Sequence, residues 1–423
     1  MNKEKYKSKL IPVEESINLI KSNDVVVLSP ASTEPLEVID RLPSIADKVK
    51  NVSIYSMLPM KLHEVFKDPK YKGIFNVESA FYSAPLRIAN KLGISTFIPT
   101  HLRNAGPSLS KRKVNILITM VSPMDQHGYF SMGCTGTIYQ YDILKKVDTI
   151  VALVNPQMPR TFGDTSLHID EIDYLCEIDR PILTLPDAVI TEDDMKIGEY
   201  VSELIDDGST IQLGIGAIPN AAALKLMNKK DLGIHTEMLN DAMVDLCEAG
   251  VVTGNKKTLH PKKIVTAFTL GTQKVYDFID NNPSVLHLRC RYTNDPFIVA
   301  QNYKMVSVNT TLQIDLTGQC ASESIVTEQI SGTGGQVETA IGAQMAEGGK
   351  SIITLHSTAM IKKPGSNEKV RVSKIVPFLE KGTIVTLPRT DVDYVVTEYG
   401  IASLKGATVK ERVKSLINIA HPD

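Results

Sequence analysis

Residues 149–154 read Thr149-Ile150-Val151-Ala152-Leu153-Val154, a short run that is apolar at five of its six positions. A run without alternation between apolar and polar residues is typical of a strand that is buried on both faces. Runs of the same character occupy residues 24–29, 52–56 and 114–119. Because such strands need helices on both sides of their sheet, the first half of the chain predicts an α/β domain with a largely parallel sheet.

The pattern of short apolar runs and longer amphipathic stretches starts again after the proline-containing segment 180–186. The second half predicts helices at 192–205 and 220–227, and strands at 210–214, 263–270, 351–355, 382–387 and 393–397. We therefore predict two α/β domains, residues 1–185 and 186–423. Ligands of open α/β sheets bind beyond the carboxyl ends of strands, so functional residues are expected in the loops that follow them.

The composition is that of a globular protein with large cores. The chain has 423 residues, of which 43% are hydrophobic and 22% are charged. Its 46 basic and 48 acidic residues leave a net charge of −2, and the basic residues are scattered along the chain. Neither nucleic acid nor a membrane surface is indicated as a partner.

The five cysteines lie far apart and form no CxxC pair. This spacing predicts buried free thiols in a reducing compartment, and it disfavours a disulfide framework or a metal site. The charged amino terminus lacks the apolar region of a signal peptide, and no stretch is long and apolar enough to span a membrane. We expect a cytoplasmic protein.

One carboxylate attracts attention because of its surroundings. Glu237 stands in the run 233–238, which follows the glycine-containing segment 212–220 by about the length of a helix. A carboxylate near free backbone N–H groups can act as a nucleophile towards an activated acyl group, because those donors stabilise the oxyanion that forms. The alternative, from these residues alone, is an ordinary exposed glutamate in a loop.

The two glycines of Gly214-Ile215-Gly216 precede a predicted helix, but the third glycine of a dinucleotide fingerprint is missing. A nicotinamide cofactor is therefore a poor interpretation. Such a turn brings the backbone and a helix amino terminus close to an anionic or thioester-bearing ligand. The alternative is that the glycines serve only a tight turn.

A second glycine-rich run, residues 331–336, lacks the lysine of a phosphate-binding P-loop and suits close backbone approach to a ligand. His235 lies two residues before Glu237, but no second His or Cys cluster is nearby in sequence, so we expect no metal site. The chain also lacks GxSxG, which disfavours a serine esterase.

Three runs resemble successive signatures of one enzyme family: Gly332-Thr333-Gly334-Gly335-Gln336-Val337, Thr397-Glu398-Tyr399-Gly400-Ile401-Ala402 and Ala420-His421-Pro422-Asp423. The family is that of the acetyl-CoA hydrolases and transferases. The chain is most similar to its class I-type CoA-transferases, which act on 4-hydroxybutyrate and other short acyl groups. The resemblance extends from about residue 5 to residue 423, with the motifs in matching order and spacing.

The resemblance implies two CoA-transferase-like domains with the active site in the cleft between them, and a homo-oligomer. It implies that Glu237 is the nucleophile and that the backbone N–H of Gly335 contacts the thioester oxygen. The residues that it implies for binding coenzyme A are Gly214, Ile215, Gly216, Ala217, Ile218, Leu312, Gly334, Gly335 and Ala359.

The chain departs from the family pattern at two places. Pro30 stands where relatives often have a histidine, which bears on recognition of the acyl group. Glu338-Thr339 stands where the family commonly has Asp-Phe, so the packing beneath the second glycine-rich run is expected to differ.

The implied activity is transfer of coenzyme A between a short-chain acyl-CoA and a free carboxylate such as acetate, through a glutamyl-CoA thioester on Glu237. The acyl donors would include 4-hydroxybutyryl-, butyryl- and acetyl-CoA, and coenzyme A would be a substrate that needs no metal. One alternative is an acyl-CoA hydrolase that uses the same glutamate. The alternative of a different class is a non-catalytic regulatory protein that binds coenzyme A or a nucleotide.

Overall fold

The computed structural model describes residues 2–186, 188–362 and 366–423. The chain forms two compact units, the first comprising Met1–Pro186 with Val265–Thr293 and the second comprising Asp187–Ile264 with Asn294–Asp423. The segment Val265–Thr293, which the sequence analysis assigned to the second domain, therefore belongs to the first unit.

The strands of the first part of the chain are β1 (Val25–Leu28), β2 (Val52–Tyr55), β3 (Phe75–Ser79), β4 (Ser95–Phe97), β5 (Val114–Val121), β6 (Tyr129–Ser131), β7 (Val147–Val154), β8 (Phe162–Gly163), β9 (Ser166–His168), β10 (Tyr174–Glu177), β11 (Thr210–Leu213) and β12 (Gly233–Leu239). The strands that follow are β13 (Ile264–Thr269), β14 (Val285–His287), β15 (Met305–Thr310), β16 (Gln313–Asp315), β17 (Cys320–Ala321), β18 (Ser324–Ile325), β19 (Glu328–Gln329), β20 (Lys350–Thr354), β21 (Thr358–Lys362), β22 (Lys369–Ser373), β23 (Ile375–Val376), β24 (Tyr394–Thr397) and β25 (Gly400–Ser403).

The α-helices are α1 (Asn2–Lys9), α2 (Val13–Ile17), α3 (Leu36–Ile39), α4 (Glu64–Lys67), α5 (Ala84–Lys91), α6 (Ala105–Leu109), α7 (Gln140–Ile143), α8 (Glu192–Glu203), α9 (Ala217–Lys225), α10 (Asp241–Glu248), α11 (Gln273–Ile279), α12 (Cys290–Thr293), α13 (Pro296–Val299), α14 (Gln336–Met345) and α15 (Val409–Asn418). Short 3-10 helices span Ala31–Thr33, Leu42–Ile45, Pro69–Tyr71, Leu102–Asn104, Ile169–Glu171 and Arg389–Asp391.

The first unit contains a parallel sheet with the strand order β10-β7-β5-β1-β2-β3-β4. At its centre, Val26 of β1 pairs with Ile54 on one side and with Ile116 on the other. All three side chains are almost completely buried, as strands covered on both faces require. The predicted α/β fold and the four strands predicted in this half are confirmed.

Several contacts hold the segment Val265–Thr293 in the first unit. The backbone N–H of Thr269 donates to the carbonyl of Cys134 over 2.9 Å, and the Tyr276 hydroxyl donates to the carbonyl of Leu183 over 2.8 Å. Strand β14 pairs in parallel with β8. The sequence does not reveal this exchange, because β13 looks like any other buried strand of an α/β domain.

The second unit contains the strand order β25-β24-β20-β15-β11-β12. Its described pairings are parallel, except that β24 and β25 form an antiparallel edge. The prediction of a largely parallel sheet is thus confirmed here as well. Because β15, β11 and β12 run in the same direction, their carboxyl ends lie at the same edge of the sheet.

Two expectations for the second half need correction. Residues 382–387 form no strand, and only Leu387 makes an isolated bridge, to Cys320. Ile384 and Val385 are 49% and 40% exposed, so residues 382–386 have local β-propensity but form no ladder with β17, to which Cys320 belongs. The helix predicted at 220–227 begins earlier, at Ala217.

Two further findings concern the whole described chain. No helix within the described residues is long and apolar enough to cross a membrane. The five cysteines are free thiols, of which Cys247 is partly accessible and the other four are buried.

Candidate functional site

Glu237 lies within a strand, which corrects the expectation that it would lie in a loop after one. It belongs to β12, whose residues Gly233 and Ile234 pair with Thr210 and Ile211 of β11. Each pair is 23 residues apart, and the same spacing places Glu237 beside Gly214, just beyond the end of β11. The carboxylate therefore stands at the carboxyl edge of the sheet, where ligands of α/β folds bind.

Two groups from distant parts of the second unit approach the carboxylate. The side-chain amide of Asn294 donates to Oε2 of Glu237 over 2.8 Å. The backbone N–H of Gly335 also donates to the Glu237 carboxylate. A Cβ atom at position 335 would lie 2.0 Å from that Oε2 and 2.1 Å from the Asn294 amide nitrogen, so any side chain here would displace these two groups.

The environment makes Glu237 a weak acid. Burial raises the pKa of its carboxyl to about 7, while the hydrogen bonds from Asn294 and Gly335 act in the opposite direction. The residue as a whole keeps partial access to solvent, and its carboxyl end is the part enclosed by protein. A carboxylate that ionises near neutral pH and is poorly hydrated is suited to nucleophilic or proton-transfer chemistry.

The strand that carries Glu237 is held from behind by a buried lysine. The ammonium of Lys257 donates to the carbonyl of Ile234 over 2.7 Å and to that of Lys263 over 2.8 Å. Gly233 leaves the space that the lysine stem occupies, since a Cβ there would lie 2.3 Å from Cγ of Lys257. Burial lowers the pKa of Lys257 to about 7. The first residues of β12 are thus fixed relative to the loop 254–263.

The glycine-rich loop before α14 is braced by a buried carboxylate, Glu323, which is 5% exposed. The hydroxyl of Thr333 donates to Oε2 of Glu323 over 3.1 Å, and the backbone N–H of Ser331 donates to its carbonyl over 3.1 Å. Gly334 follows with φ of +54°, a conformation that favours glycine. Gly335 then forms the amino-terminal cap of α14.

The other glycine segment lies where the sequence predicted. Gly214 follows β11, and its N–H donates to the carbonyl of Val308 over 2.9 Å. Gly216 has φ of +118° and precedes α9, which begins at Ala217, while Ile215 is 44% exposed between the two glycines. The turn therefore presents backbone and one apolar side chain at the same edge of the sheet as Glu237.

Leu312 and Ala359 lie further along the chain, and their predicted contact with coenzyme A stays a prediction. Leu312 was expected on a strand but lies in the link between β15 and β16, where its N–H donates to the carbonyl of Ala321 over 3.0 Å. Ala359 lies on β21, opposite Val372 of β22. Both residues are half-buried.

The structure thus brings Glu237 and Gly335 together and adds Asn294, which the sequence analysis did not single out. The signal available was local: Asp295 caps α13 and Pro296 occupies its first turn, so Asn294 precedes a helix start. Nothing in that signal specifies contact with Glu237. Among the residues that the structure describes, no three His, Cys, Asp or Glu side chains are grouped as metal ligands.

Comparison with known proteins shows to which family the chain is similar. Residues 1–186 match the acetyl-CoA hydrolase/transferase N-terminal domain, and residues 271–423 match the C-terminal domain of the same family. The chain is 42% identical to a 4-hydroxybutyrate coenzyme A transferase of Clostridium kluyveri, over 99% of this chain and 95% of that protein. It is 34% identical to a butyryl-CoA:acetate CoA-transferase of Anaerostipes caccae, over 100% of this chain and 95% of that protein.

A solved structure agrees over the same span. The crystal structure of RipA from Yersinia pestis superposes with a TM-score of 0.93 at 33% sequence identity, covering 100% of this chain and 96% of that chain. The matches to both family domains, together with full-length relatives well above 30% identity, confirm the resemblance drawn from the sequence motifs. The chain belongs to the acetyl-CoA hydrolase/transferase family.

Proposed function

We propose that the protein transfers coenzyme A between a short-chain acyl-CoA and a free carboxylate, with Glu237 as the covalent nucleophile. The observation that carries this proposal is the placement of the Glu237 carboxylate against two N–H donors, from Asn294 and Gly335, in an environment that raises its pKa to about 7. Such donors stabilise negative charge on an oxygen at the reacting centre.

The reaction would proceed by two exchanges of bonds on one side chain. A carboxylate oxygen of Glu237 attacks the thioester carbonyl and the C–S bond breaks. CoA departs as a thiolate, and an acyl-glutamyl anhydride is formed. The thiolate then attacks the glutamyl carbonyl carbon and displaces the first carboxylate, which leaves a glutamyl-CoA thioester. A second carboxylate attacks this thioester, and the released thiolate takes the new acyl group, which regenerates Glu237. The energy of the thioester bond is retained throughout.

The roles of the neighbouring groups follow from their positions. Gly335 and Asn294 would donate to the oxyanion formed on the acyl or glutamyl carbonyl, because both already face the oxygen of Glu237. The backbone at Gly214–Ile218 would approach coenzyme A, since it lies at the same edge of the sheet as Glu237. Leu312, Gly334 and Ala359 are carried over as further contacts from the family resemblance.

The acyl groups proposed are 4-hydroxybutyryl, butyryl and acetyl, with acetate among the acceptors. The names of the two transferases reported above support this range. Initial rates with 4-hydroxybutyryl-, butyryl-, acetyl- and octanoyl-CoA would test it. Octanoyl-CoA as the best donor would overturn the short-chain assignment.

Trapping of the intermediate tests the mechanism. Protein incubated with acyl-CoA and then with borohydride should lose activity, because borohydride reduces a thioester to an alcohol and spares a free carboxylate. Peptide mass analysis should place the change on Glu237, and Glu237→Gln should show neither the modification nor turnover. Modification of a different residue, or an active Glu237→Gln variant, would refute the proposal.

Hydrolysis is the second candidate, because the family includes acetyl-CoA hydrolases and water can attack the same anhydride. Release of free CoA should be slow without acetate and should give way to acyl transfer when acetate is added. Equally fast release without acetate would identify a hydrolase. If none of the tested acyl-CoA compounds exchanges its acyl group or releases CoA, the result would favour a non-catalytic binding protein.

A further inference from the structure

A buried polar network lies beneath Gly335 and reaches two strands of the second unit. The hydroxyl of Thr339, in the first turns of α14, donates to the carbonyl of Gly335 over 3.0 Å. The same hydroxyl accepts a hydrogen bond from the side-chain amide of Asn309 over 3.1 Å. Asn309 and Gln212 in turn exchange two longer amide contacts of 3.5 Å each.

The members of this network are buried and occupy distinct elements. Thr339, Asn309 and Gln212 are 3%, 9% and 3% exposed, respectively. Asn309 lies near the end of β15, and Gln212 lies on the neighbouring strand β11. A buried polar group costs free energy unless it is hydrogen-bonded, so these side chains constrain one another strongly. The start of α14 is therefore fixed relative to β15 and β11.

The same strands determine where Glu237 stands. Strand β12, which carries Glu237, pairs with β11, which carries Gln212. One connection between Gly335 and Glu237 thus runs through the sheet and Thr339. It adds to the brace that Glu323 gives the preceding loop and to the bond from the Gln336 amide to the carbonyl of Thr310, 3.1 Å long. Thr339 donates to the carbonyl of Gly335 twice, from its backbone N–H over 2.9 Å and from its hydroxyl over 3.0 Å. The hydroxyl is the group that links this carbonyl to Asn309.

We propose that Thr339 is a positioning residue: its hydroxyl ties Gly335, and with it the N–H that faces Glu237, to Asn309 and Gln212 on two adjacent strands. The proposal rests on the proposed function where it concerns turnover. In the ligand-free protein, Thr339 should also affect the pKa of Glu237, because the N–H of Gly335 favours the ionised carboxylate whether or not the chain transfers coenzyme A.

The test uses an isosteric pair of substitutions in the full-length protein. Thr339→Val removes the hydroxyl and keeps the volume, whereas Thr339→Ser keeps the hydroxyl. Titration of the 13C-labelled Glu237 carboxyl by NMR, assigned with Glu237→Gln, should show a midpoint raised by about half a pH unit or more in Thr339→Val, because a favourable hydrogen bond to the carboxylate weakens. Thr339→Ser should titrate like the wild type.

Steady-state kinetics supply the second measurement. Thr339→Val should lower kcat about tenfold with KM changed less than twofold, since misplacement of a donor affects the transition state more than binding. Thr339→Ser should restore most of the lost rate. If the wild type itself transfers no coenzyme A, the proposed function fails while the titration still decides the role of Thr339.

Two further variants separate positioning from loss of stability. Thr210→Val removes a different fully buried hydroxyl, which lies on β11 and has no hydrogen-bond partner. This variant should leave the titration midpoint of Glu237 and kcat unchanged. Asn309→Ser should reproduce the Thr339→Val shift, and the double variant should add little to either, as expected within one network. If Thr339→Val does not fold, Asn309→Ser replaces it as the variant that disrupts the network. Unchanged titration and kcat in Thr339→Val, or equal defects in the Val and Ser variants, would overturn the proposal.

Discussion

Asn294 donates its side-chain amide to Oε2 of Glu237 over 2.8 Å, across 57 residues of sequence. Asn294 is fully buried, and its hydrogen bond favours the ionised form of a carboxyl that burial drives towards the neutral form. The ionisation of Glu237 is therefore a balance between desolvation and two donors. Several measurable properties depend on that balance.

The rate of transfer should depend on the ionisation of Glu237. If Glu237 is the nucleophile, its carboxylate is the attacking form. Because burial raises its pKa to about 7, kcat/KM should then increase with pH and level off above about 7. The measurement is a pH profile of kcat/KM for the free enzyme. A profile that is flat from pH 5.5 to 8.5 would contradict this assignment.

Replacing Glu237 should stabilise the protein at alkaline pH while it removes activity. A folded-state pKa raised from 4.5 to about 7 means that the native state loses stability, relative to the unfolded state, as pH rises between those values. Glu237→Gln escapes this loss, which at about 1.4 kcal/mol per pH unit is at most about 3.5 kcal/mol. The free energy of unfolding, measured by urea denaturation at pH 4.5 and 8, should show a gain only at pH 8.

Removal of the Asn294 amide should shift the pH dependence. Asn294→Ala takes away a hydrogen bond that lowers the pKa of Glu237, so the midpoint of the pH–rate profile should rise by about one unit. The matched control is Asn302→Ala, which removes another buried asparagine, bonded to the carbonyl of Val299 on α13. The control should lose stability and keep the wild-type midpoint. A shared shift would argue that the effect is merely structural.

A single methyl group at position 335 should impair catalysis without unfolding the protein. The φ of −102° at Gly335 is accessible to alanine, yet the Cβ would collide with Oε2 of Glu237 at 2.0 Å. Gly335→Ala should therefore lower kcat at least about a hundredfold, comparable to the loss of one oxyanion donor. Its thermal midpoint should remain within a few degrees of the wild type. A turnover close to the wild-type value would contradict this prediction and would show that the loop before α14 can shift to accommodate the methyl group.

The first unit has a pH-dependent feature of its own. Both ring nitrogens of His63 face carboxylates, Nδ1 at 2.7 Å from Asp40 and Nε2 at 3.1 Å from Glu34. Burial alone would lower the pKa of His63, but the hydrogen bonds and charges of Glu34 and Asp40 prevail and raise it. The stability from this imidazolium is present below the ordinary histidine pKa and is lost as pH rises through the raised one.

His63→Gln should therefore flatten the decline of stability at rising pH. Between pH 5.5 and 8.5, the free energy of unfolding measured by urea denaturation should fall less in the variant than in the wild type, by on the order of 1–3 kcal/mol, since a charge-assisted hydrogen bond is lost. His127→Gln, at an exposed site, is the control and should keep the wild-type difference. Equal slopes for His63→Gln and the wild type would show that the histidine is neutral.

Local pattern was sufficient to predict the sheet interiors and to nominate two residues of the candidate site. Strands such as β7 are apolar on both faces, and that property alone requires a covered parallel sheet. Residues 382–387 have similar composition, but only Leu387 forms a bridge to a neighbouring strand, and pairing is not a local property. Glu237 and Gly335 could be nominated because each belongs to a recognisable motif.

Asn294 and Thr339 could not be found in the same way. Their contacts join residues 57 and 30 positions apart, respectively, and an asparagine before a helix or a threonine within one has an adequate local explanation. Glu237 itself was expected in a loop because ligands of open α/β sheets bind beyond the carboxyl ends of strands. The fold tolerates it there because two donors face it.

The interrupted course of the chain through the first unit affects how the protein is made. Strand β13, helix α11 and strand β14 belong to that unit, yet they follow Pro186 only after the 78 residues 187–264 have been synthesised. The first unit therefore cannot finish folding on the ribosome until residue 293 has emerged. A fragment that ends at Pro186 should expose the apolar surface that these elements cover and aggregate, whereas a fragment should become soluble only when it extends past residue 293.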